Sequence, residues 1–384
     1  MSLGIFLNSF DFSSDTSLYV HVPFCTSKCS YCAFYSVSGC KDSLMDAYTD
    51  KIVSEIESVN ERMGHRPYET AFIGGGNPGC LGNKRLTKIA EAICRNGRPC
   101  EFSTEMNPES LDGSFFPLFE SCFTRLSMGV QSLEPKALQF LGRNSDLDST
   151  QRGLDLSQKL HEKYGTDLSY DLITCLGMWH DELSDVKRII ADYPSDHLSV
   201  YALTLEEGTP LYRKKPALPD SDEQYVILSR IWSYLEDIGF EHYEVSNFAR
   251  NGKRCLHNCR YWAYKQYVGL GPAAASTAFS ADNKVTRYVF RPSVSDYVKT
   301  GLFEGFEEEK LSEKEAAEEE ILMGLRYKCG LDLKRVSKRV HRDIDLSKLT
   351  GIEGFSEKDG FLVPDDRGLM VADAVASRIV DALY

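Results

Sequence analysis

The chain has 384 residues, 42% hydrophobic and 26% charged, with a formal net charge of −13. That length supports a real core and two domains, one large and one small, and the acidity excludes a nonspecific nucleic-acid binder, which would carry a basic face. No apolar run approaches the roughly 20 residues of a membrane span, and MSLGIFLNSF lacks the basic flank and long apolar stretch of an export signal, so the expectation is a cytoplasmic protein.

Short β-rich runs alternate with longer helical patterns. SLYVHV at 17–22 is the first strand, and a helix over 42–63 carries Leu44, Tyr48, Ile52, Ile56 and Val59 as one apolar stripe. Further strands are expected at 70–73, 101–104, 125–129, 168–173 and 198–202, separated by helices at 84–94, 111–121, 135–141, 149–163 and 183–191. Six strand–helix units in succession imply a parallel sheet with helices outside. Polar landmarks gather at the strand ends: a cysteine loop after the first strand, GGGNP (74–78) after the second, Glu105 after the third, Gln131 after the fourth, and Asp171 and Tyr201 in or near the fifth and sixth. Sites in parallel α/β folds form at the carboxyl ends of strands. Six strands feeding one mouth suit a curved sheet. The fold class is therefore α/β, a partial (β/α)6 TIM-like barrel with a small C-terminal helical, winged-helix-like domain.

Past residue 205 the repeat stops. A helix over 222–238 and a strand over 241–250 precede a boundary near 285–310, dividing the chain into 1–285 and a helix-rich 286–384. Residues 304–320 hold nine Glu and two Lys and read as a solvated stretch. Ser312 with Glu315 makes a capping box for a helix running to about 328 and ended by Gly330. The tail at 361–371 reads as a hairpin around Asp365–Asp366, followed by a last helix to 383. Helices plus a hairpin suggest a winged helix, but the acidity favours a lid or docking role over DNA binding.

The strongest chemical signal is HVPFCTSKCSYCAF at 21–34, where Cys25, Cys29 and Cys32 stand in C-x3-C-x2-C spacing. Twelve cysteines without an export signal point to reduced thiols. Cys40, Cys80, Cys94, Cys100, Cys122, Cys175 and Cys329 are scattered and read as small buried apolar residues. A disulfide would leave one thiol of the triplet over. Zinc needs a fourth ligand, His21 or a distant cysteine. The sharper reading is a [4Fe–4S] cluster, in which three thiolates leave one of four irons open.

C-x3-C-x2-C directly after the first strand of a barrel resembles the radical S-adenosylmethionine (SAM) superfamily. The runs YVHVPFC (19–25), GGGNP, EMNP (105–108), SMGVQS (127–132), LGR (141–143), DLI (171–173), YEVSNFA (243–249) and HNCRYW (257–262) narrow the resemblance to its coproporphyrinogen-dehydrogenase-like branch over about residues 17–280. The resemblance implies that Cys25, Cys29 and Cys32 hold the cluster and that SAM occupies the open iron. It places SAM against Tyr19, Phe24, Gly74, Gly75, Gly76, Asn77, Glu105, Gln131, Arg143 and Asp171. Phe24 and Tyr31 would shield the cluster, Glu105 would meet the SAM amino group, and Arg143 its carboxylate. His257 is a candidate heme ligand, with a hydrogen-bonded core histidine beside Tyr261 and Trp262 as the alternative. His242 reads as core.

Two functions of that branch compete: heme chaperoning, and oxygen-independent coproporphyrinogen III oxidation. The oxidase carries a fourth cysteine where this chain has Phe34, and a longer arm ahead of the position of Tyr19. Phe34 and HNCRYW favour the chaperone. A scaffold that binds SAM or cluster without turnover is a third reading, against which the intact cysteine spacing argues. Whether SAM is cleaved, and so whether the protein is an enzyme, stays open. The implied ligands are the [4Fe–4S] cluster, SAM and heme. The implied partners are a heme acceptor and an electron donor, with no nucleic acid, peripheral contact with membrane proteins, and a monomeric or dimeric state. Three positions depart from the pattern: Asn77 replaces threonine, and Ser145 and Ala275 stand where histidine is usual.

Overall fold

A computed structural model of the chain describes residues 2–143, 146–177, 179–280, 284–342, 344 and 353–383. The six leading strands fall where expected: β1 (Ser17–Val22), β2 (Thr70–Gly75), β3 (Glu101–Met106), β4 (Arg125–Gln131), β5 (Asp167–Thr174) and β6 (His197–Ala202). They lie side by side in chain order and pair parallel throughout. Neighbouring side chains along a strand point to opposite faces. The outward set is apolar, and Leu18, Val20, Ile73, Phe102, Leu126 and Leu198 are buried in one core with the crossover helices. The inward set is polar and bonds across strands. The Thr70 hydroxyl donates to Ser17 Oγ at 2.8 Å, Ser127 Oγ donates to the Asp171 carboxylate at 3.1 Å, and Ser169 Oγ lies 2.7 Å from His197 Nδ1. The barrel interior therefore offers prepared donors and acceptors where most barrels are filled with branched aliphatics.

The sheet continues at both ends. β7 (Glu241–His242) and β8 (Asn247–Ala249) extend it antiparallel beyond β6. β9 (Tyr267–Leu270) runs parallel to β1 and leads through β10 (Ala275–Phe279) and β11 (Val285–Phe290) to β12 (Phe306–Lys310). Among the described residues β12 and β7 are the two edges of the sheet, which leaves the barrel open. The single strand expected over 241–250 is thus two strands. The chain reverses between them, the Tyr243 amide donating to the Asn247 carbonyl at 3.2 Å and the buried Glu244 bridging to Tyr327. A helix at Ser2–Asn8, absent from the sequence reading, brings Phe6 into the core against Tyr288 and Phe303.

β11 starts at Val285 and β12 lies beyond it, yet both belong to the large sheet, while a second apolar core gathers Ala317, Ile321, Leu325, Val336, Val375 and Ile379. Around it stand β13 (Leu331–Asp332), β14 (Phe355–Lys358) and β15 (Phe361–Pro364), ordered β13-β15-β14, with helices Glu313–Leu325, Leu333–Val340 and Ala372–Leu383. The Ser312–Glu315 capping box is present, but the helix stops at Leu325, ahead of Gly330. The hairpin turns at Asp359–Gly360, whose φ values of 54° and 87° suit a two-residue turn. Asp365 instead caps the short helix Asp366–Met370, accepting the Gly368 N–H at 2.9 Å. Nor are all the glutamates of 304–320 solvated: Glu320 is fully buried between Arg335 and Arg339, and Glu319 accepts from Arg287 Nη2 at 2.6 Å. Arginines distant in sequence neutralise them. Of the scattered cysteines, Cys122 and Cys175 are buried, Cys40, Cys80 and Cys94 half-buried, and Cys100 and Cys329 exposed. The two exposed thiols follow from their places at element ends, Cys100 just ahead of β3 and Cys329 beyond the helix Glu313–Leu325. Among the described residues no helix is long and apolar enough to cross a membrane.

Candidate functional site

The loop leaving β1 returns on itself. The Cys25 amide donates to the Val37 carbonyl at 3.0 Å, and the Val37 amide to the Pro23 carbonyl at 2.7 Å. Two further bonds pin its middle: Ser30 N–H to the Leu141 carbonyl at 3.0 Å, and Leu211 N–H to the Ser30 carbonyl at 2.8 Å. The loop is thereby held over the carboxyl ends of the strands. Cys25, Cys29 and Cys32, all half-buried, line a cavity of about 590 Å³ there, a size ordinary for a small-molecule site. Burial pushes the Cys25 and Cys32 thiols up, so a metal must displace protons to bind. Among the described residues no three His, Cys, Asp or Glu side chains are placed to hold one metal ion. Cys25, Cys29 and Cys32 thus share one cavity at the carboxyl ends of the strands. Phe24 lies behind the loop, buried, its ring edge-on to Tyr48 at 5.2 Å.

The glycine run lies on the backbone of this loop. Gly76 N–H donates to the Val22 carbonyl and Asn77 N–H to the Phe24 carbonyl, both at 2.8 Å. A Cβ at Gly76 would come within 2.7 Å of both carbonyl oxygens. Gly75 has φ of +102°, and a Cβ there would lie 2.4 Å from the His21 ring. Gly75 and Gly76 line the cavity; Gly74 does not, being packed beneath the Glu105 carboxylate. Asn77 is fully buried and also off the cavity. Its Oδ1 accepts from the Asn107 amide at 3.3 Å and the Ser110 hydroxyl at 3.0 Å, tying the loop after β2 to the loop after β3.

Glu105, Asn107, Gln131, Arg143 and Asp171 form the polar wall. Glu105 accepts the Gly75 N–H at 2.9 Å, and burial, reinforced by the nearby Asp171, raises its carboxyl to about 7. Asp171 takes Ser127 Oγ on both oxygens at 3.1 Å and is likewise raised by burial. Gln131 enters from a bulge in β4, with φ of 68°. Arg143 is committed within the protein: Nη1 lies 3.5 Å from Cys29 Sγ, and Nη2 donates to the Gly129 carbonyl at 2.6 Å and to Asn107 Oδ1 at 3.2 Å. Its Nε is buried without a partner among the described residues, so the bidentate grip on a ligand carboxylate expected of Arg143 would displace one Nη2 bond; the guanidinium meanwhile holds Asn107 and sets positive charge beside the Cys29 sulfur. Asn107 was not singled out from the sequence, although it stands inside EMNP. Its amide is fixed by Arg143 on one side and Glu109 Oε1 on the other, at 3.1 Å.

Other candidates lie elsewhere. Tyr19 is off the cavity, its hydroxyl 3.0 Å from His21 Nδ1 and its ring beside Phe72. His257 is not presented to a ligand. It is buried at the amino ends of the strands, with Nδ1 at 2.8 Å from Thr70 Oγ1 and Nε2 at 2.8 Å from the Tyr261 hydroxyl, and burial depresses its pKa to about 3. Its helix, Leu256–Trp262, closes the barrel floor: Glu101 accepts the Leu256 and His257 amides at 2.7 and 3.0 Å, which is how a carboxylate stabilises a helix N-terminus. His242 is buried as expected, stacked on Phe248 and 3.1 Å from Asp366. Ala275 opens β10, its carbonyl against Gly269. Ser145 lies outside the described residues.

Residues 19–190 match the radical SAM superfamily. The heme chaperone HemW of Mycobacterium tuberculosis is 30% identical over 379 residues, 94% of each chain. The HemW of Bacillus subtilis is 29% identical over 86% of this chain and 88% of its own, and the mitochondrial radical S-adenosyl methionine domain-containing protein 1 of Bos taurus is 32% identical over 83% and 75%. Among solved structures, coproporphyrinogen III oxidase (HemN) of Escherichia coli superposes with a TM-score of 0.79 over 97% of this chain and 92% of its own, at 20% identity.

Proposed function

Given that the chain belongs to the radical SAM superfamily, in its HemW branch, we propose that it carries a [4Fe–4S] cluster and SAM in the cavity and serves as a heme chaperone, binding heme and passing it to an acceptor protein. The observation that carries the cofactor reading is the placement of three thiols and a polar wall on one cavity at the carboxyl ends of a parallel barrel. Cys25, Cys29 and Cys32 would hold the cluster, with Arg143 balancing charge at Cys29. Glu105 would accept from the SAM amino group, while Gln131 and Asp171 offer acceptors to its ribose. A reduced cluster of this kind, when bound, supplies an electron to the SAM sulfonium. The residues of this chain would orient the ligand.

The heme role is supported by relatives bearing the name heme chaperone HemW over most of this chain and by Phe34 at the position where the oxidase carries a fourth cysteine. The likeness to HemN is one of fold. Its test is anaerobic reconstitution with iron and sulfide, then hemin titration in parallel with incubation of coproporphyrinogen III, SAM and a reductant. Stoichiometric hemin binding without decarboxylated product supports the chaperone; turnover of the porphyrinogen overturns it. The Cys29→Ala variant should lose cluster iron and sulfide, and unchanged content would remove the basis for the cofactor reading.

A further inference from the structure

A cation lies inside the barrel below the cavity wall and is not part of it. Arg125, at the start of β4, is 4% exposed. Its Nη2 lies 3.2 Å from His197 Nδ1, which also stands 2.7 Å from Ser169 Oγ. A guanidinium only donates, so Nδ1 accepts, and the histidine carries its proton on Nε2, 2.8 Å from the Tyr243 hydroxyl. Burial and the arginine itself keep His197 neutral, well below its usual range. The Arg125 Nε is buried with no hydrogen-bond partner, and among the described residues no carboxylate touches the guanidinium. A buried charge without a contact partner is costly unless other charges balance it through the interior.

The strand register shows which charges can do so. Arg125 and Ser127 share the inward face of β4. Ser127 stands opposite Glu105 of β3, and its hydroxyl donates to Asp171 of β5. Arg125 is therefore one inward position nearer the floor than the two carboxylates of the polar wall. Its charge favours the ionised form of both, against the burial that favours their protonation. The other titratable groups facing them are Tyr19 from β1, Tyr31 from the cysteine loop, Tyr201 from β6 and Tyr261 from the floor helix, all kept neutral by burial. Arg143 is engaged with Cys29 and Asn107, and Glu101 at the floor with the Leu256 and His257 amides. We propose that Arg125 is a positioning residue for the ligand site: a buried guanidinium, bound by contact to no carboxylate, that keeps Glu105 and Asp171 charged for the amino group and ribose of SAM. The proposal rests on the SAM reading above and adds the charge that prepares the wall.

The test is anaerobic equilibrium dialysis of SAM against the full chain with its cluster reconstituted, from pH 6 to 8.5. Arg125→Gln keeps an amide donor for His197 Nδ1 and removes the charge. Arg125→Met, apolar and of similar length, repeats the neutral arm, and Arg125→Lys keeps the charge. Equal cluster iron and sulfide in all variants controls for folding. Without the cation, the rise in affinity that follows Glu105 should move up by about one pH unit. The neutral variants should then bind about fivefold more weakly than the parent at pH 7 and come within about twofold of it at pH 8.5, while Arg125→Lys follows the parent. A purely structural role would lower affinity by one factor at every pH. That result, a Lys variant that behaves like the neutral ones, or neutral variants that match the parent would each overturn the proposal and leave the SAM reading standing. If the parent binds no SAM at any pH, the SAM reading itself fails.

Discussion

Replacing Glu105 by Gln isolates one charge on the polar wall. The amide oxygen can keep the Gly75 N–H bond that the carboxylate accepts at 2.9 Å, so the change removes charge and little else. Burial raises this carboxyl from 4.5 to about 7. The folded protein therefore retains a proton that the unfolded chain has released, and this group costs stability as pH rises through that window. The span corresponds to about 3 kcal/mol at most. The variant should thus unfold at higher denaturant than the parent at pH 8, with the difference fading below pH 5. SAM binding should move the other way. An amino group donating to Glu105 needs the ionised acid, whose fraction rises from about 3% at pH 5.5 to about half at pH 7 for a group titrating near 7. The parent's affinity should rise about 15-fold over that range from this group alone. The Gln variant should lack that increment and bind roughly 10- to 100-fold more weakly at pH 7, the worth of one charge-assisted hydrogen bond. The assay is anaerobic equilibrium dialysis of SAM against both reconstituted proteins, read as their difference at each pH. Equal affinities at pH 7, or parallel pH profiles, would refute the placement of the SAM amino group on Glu105.

Gly75→Ala forces a side chain into a φ of +102° and onto the His21 ring; a loss of roughly 2–4 kcal/mol is expected, read as a lower urea midpoint at constant slope. Arg143→Lys cannot span Cys29, Asn107 and the Gly129 carbonyl with one ammonium; a chelator should extract cluster iron several-fold faster from this variant, and an unchanged rate would show that the fork is dispensable. His257 has its pKa depressed to about 3 by burial, so its contribution to stability is complete above about pH 6.5 and is lost as pH falls toward 3. His257→Gln should flatten the acid branch of the stability profile by up to about 1.4 kcal/mol per pH unit, with His21, His197 and His242, also depressed by burial, keeping the remaining slope. Hemin titration of that variant should match the parent, and lost hemin binding would restore His257 as a ligand.

The mouth of the barrel was legible in the sequence and the floor was not, for one physical reason. Groups at the mouth sit on or just beyond strand ends, so a correct strand reading places Cys25, Glu105, Gln131 and Asp171 together without knowledge of distant pairing. Asn107 escaped because its orientation depends on Arg143 and Glu109, not on its own strand. The Asp359–Gly360 turn carries its own Asp-Gly signal; of the acids at 365–366, Asp365 caps a helix and Asp366 pairs with His242 and Lys328. His257 is the instructive case. HNCRYW carries residues that suit iron, yet its helix is fastened by Glu101, a partner 155 residues away in sequence, and its imidazole is occupied by Thr70 and Tyr261. Glu101 and Glu105 lie on the same face of β3, four residues apart. At the amino end the carboxylate holds two helix amides in a closed floor. At the carboxyl end an identical side chain faces an open cavity and is raised to about 7. Residue type does not separate the two glutamates, and neither does the pattern of the strand. The end of the barrel each one reaches decides whether it holds the fold together or meets a ligand.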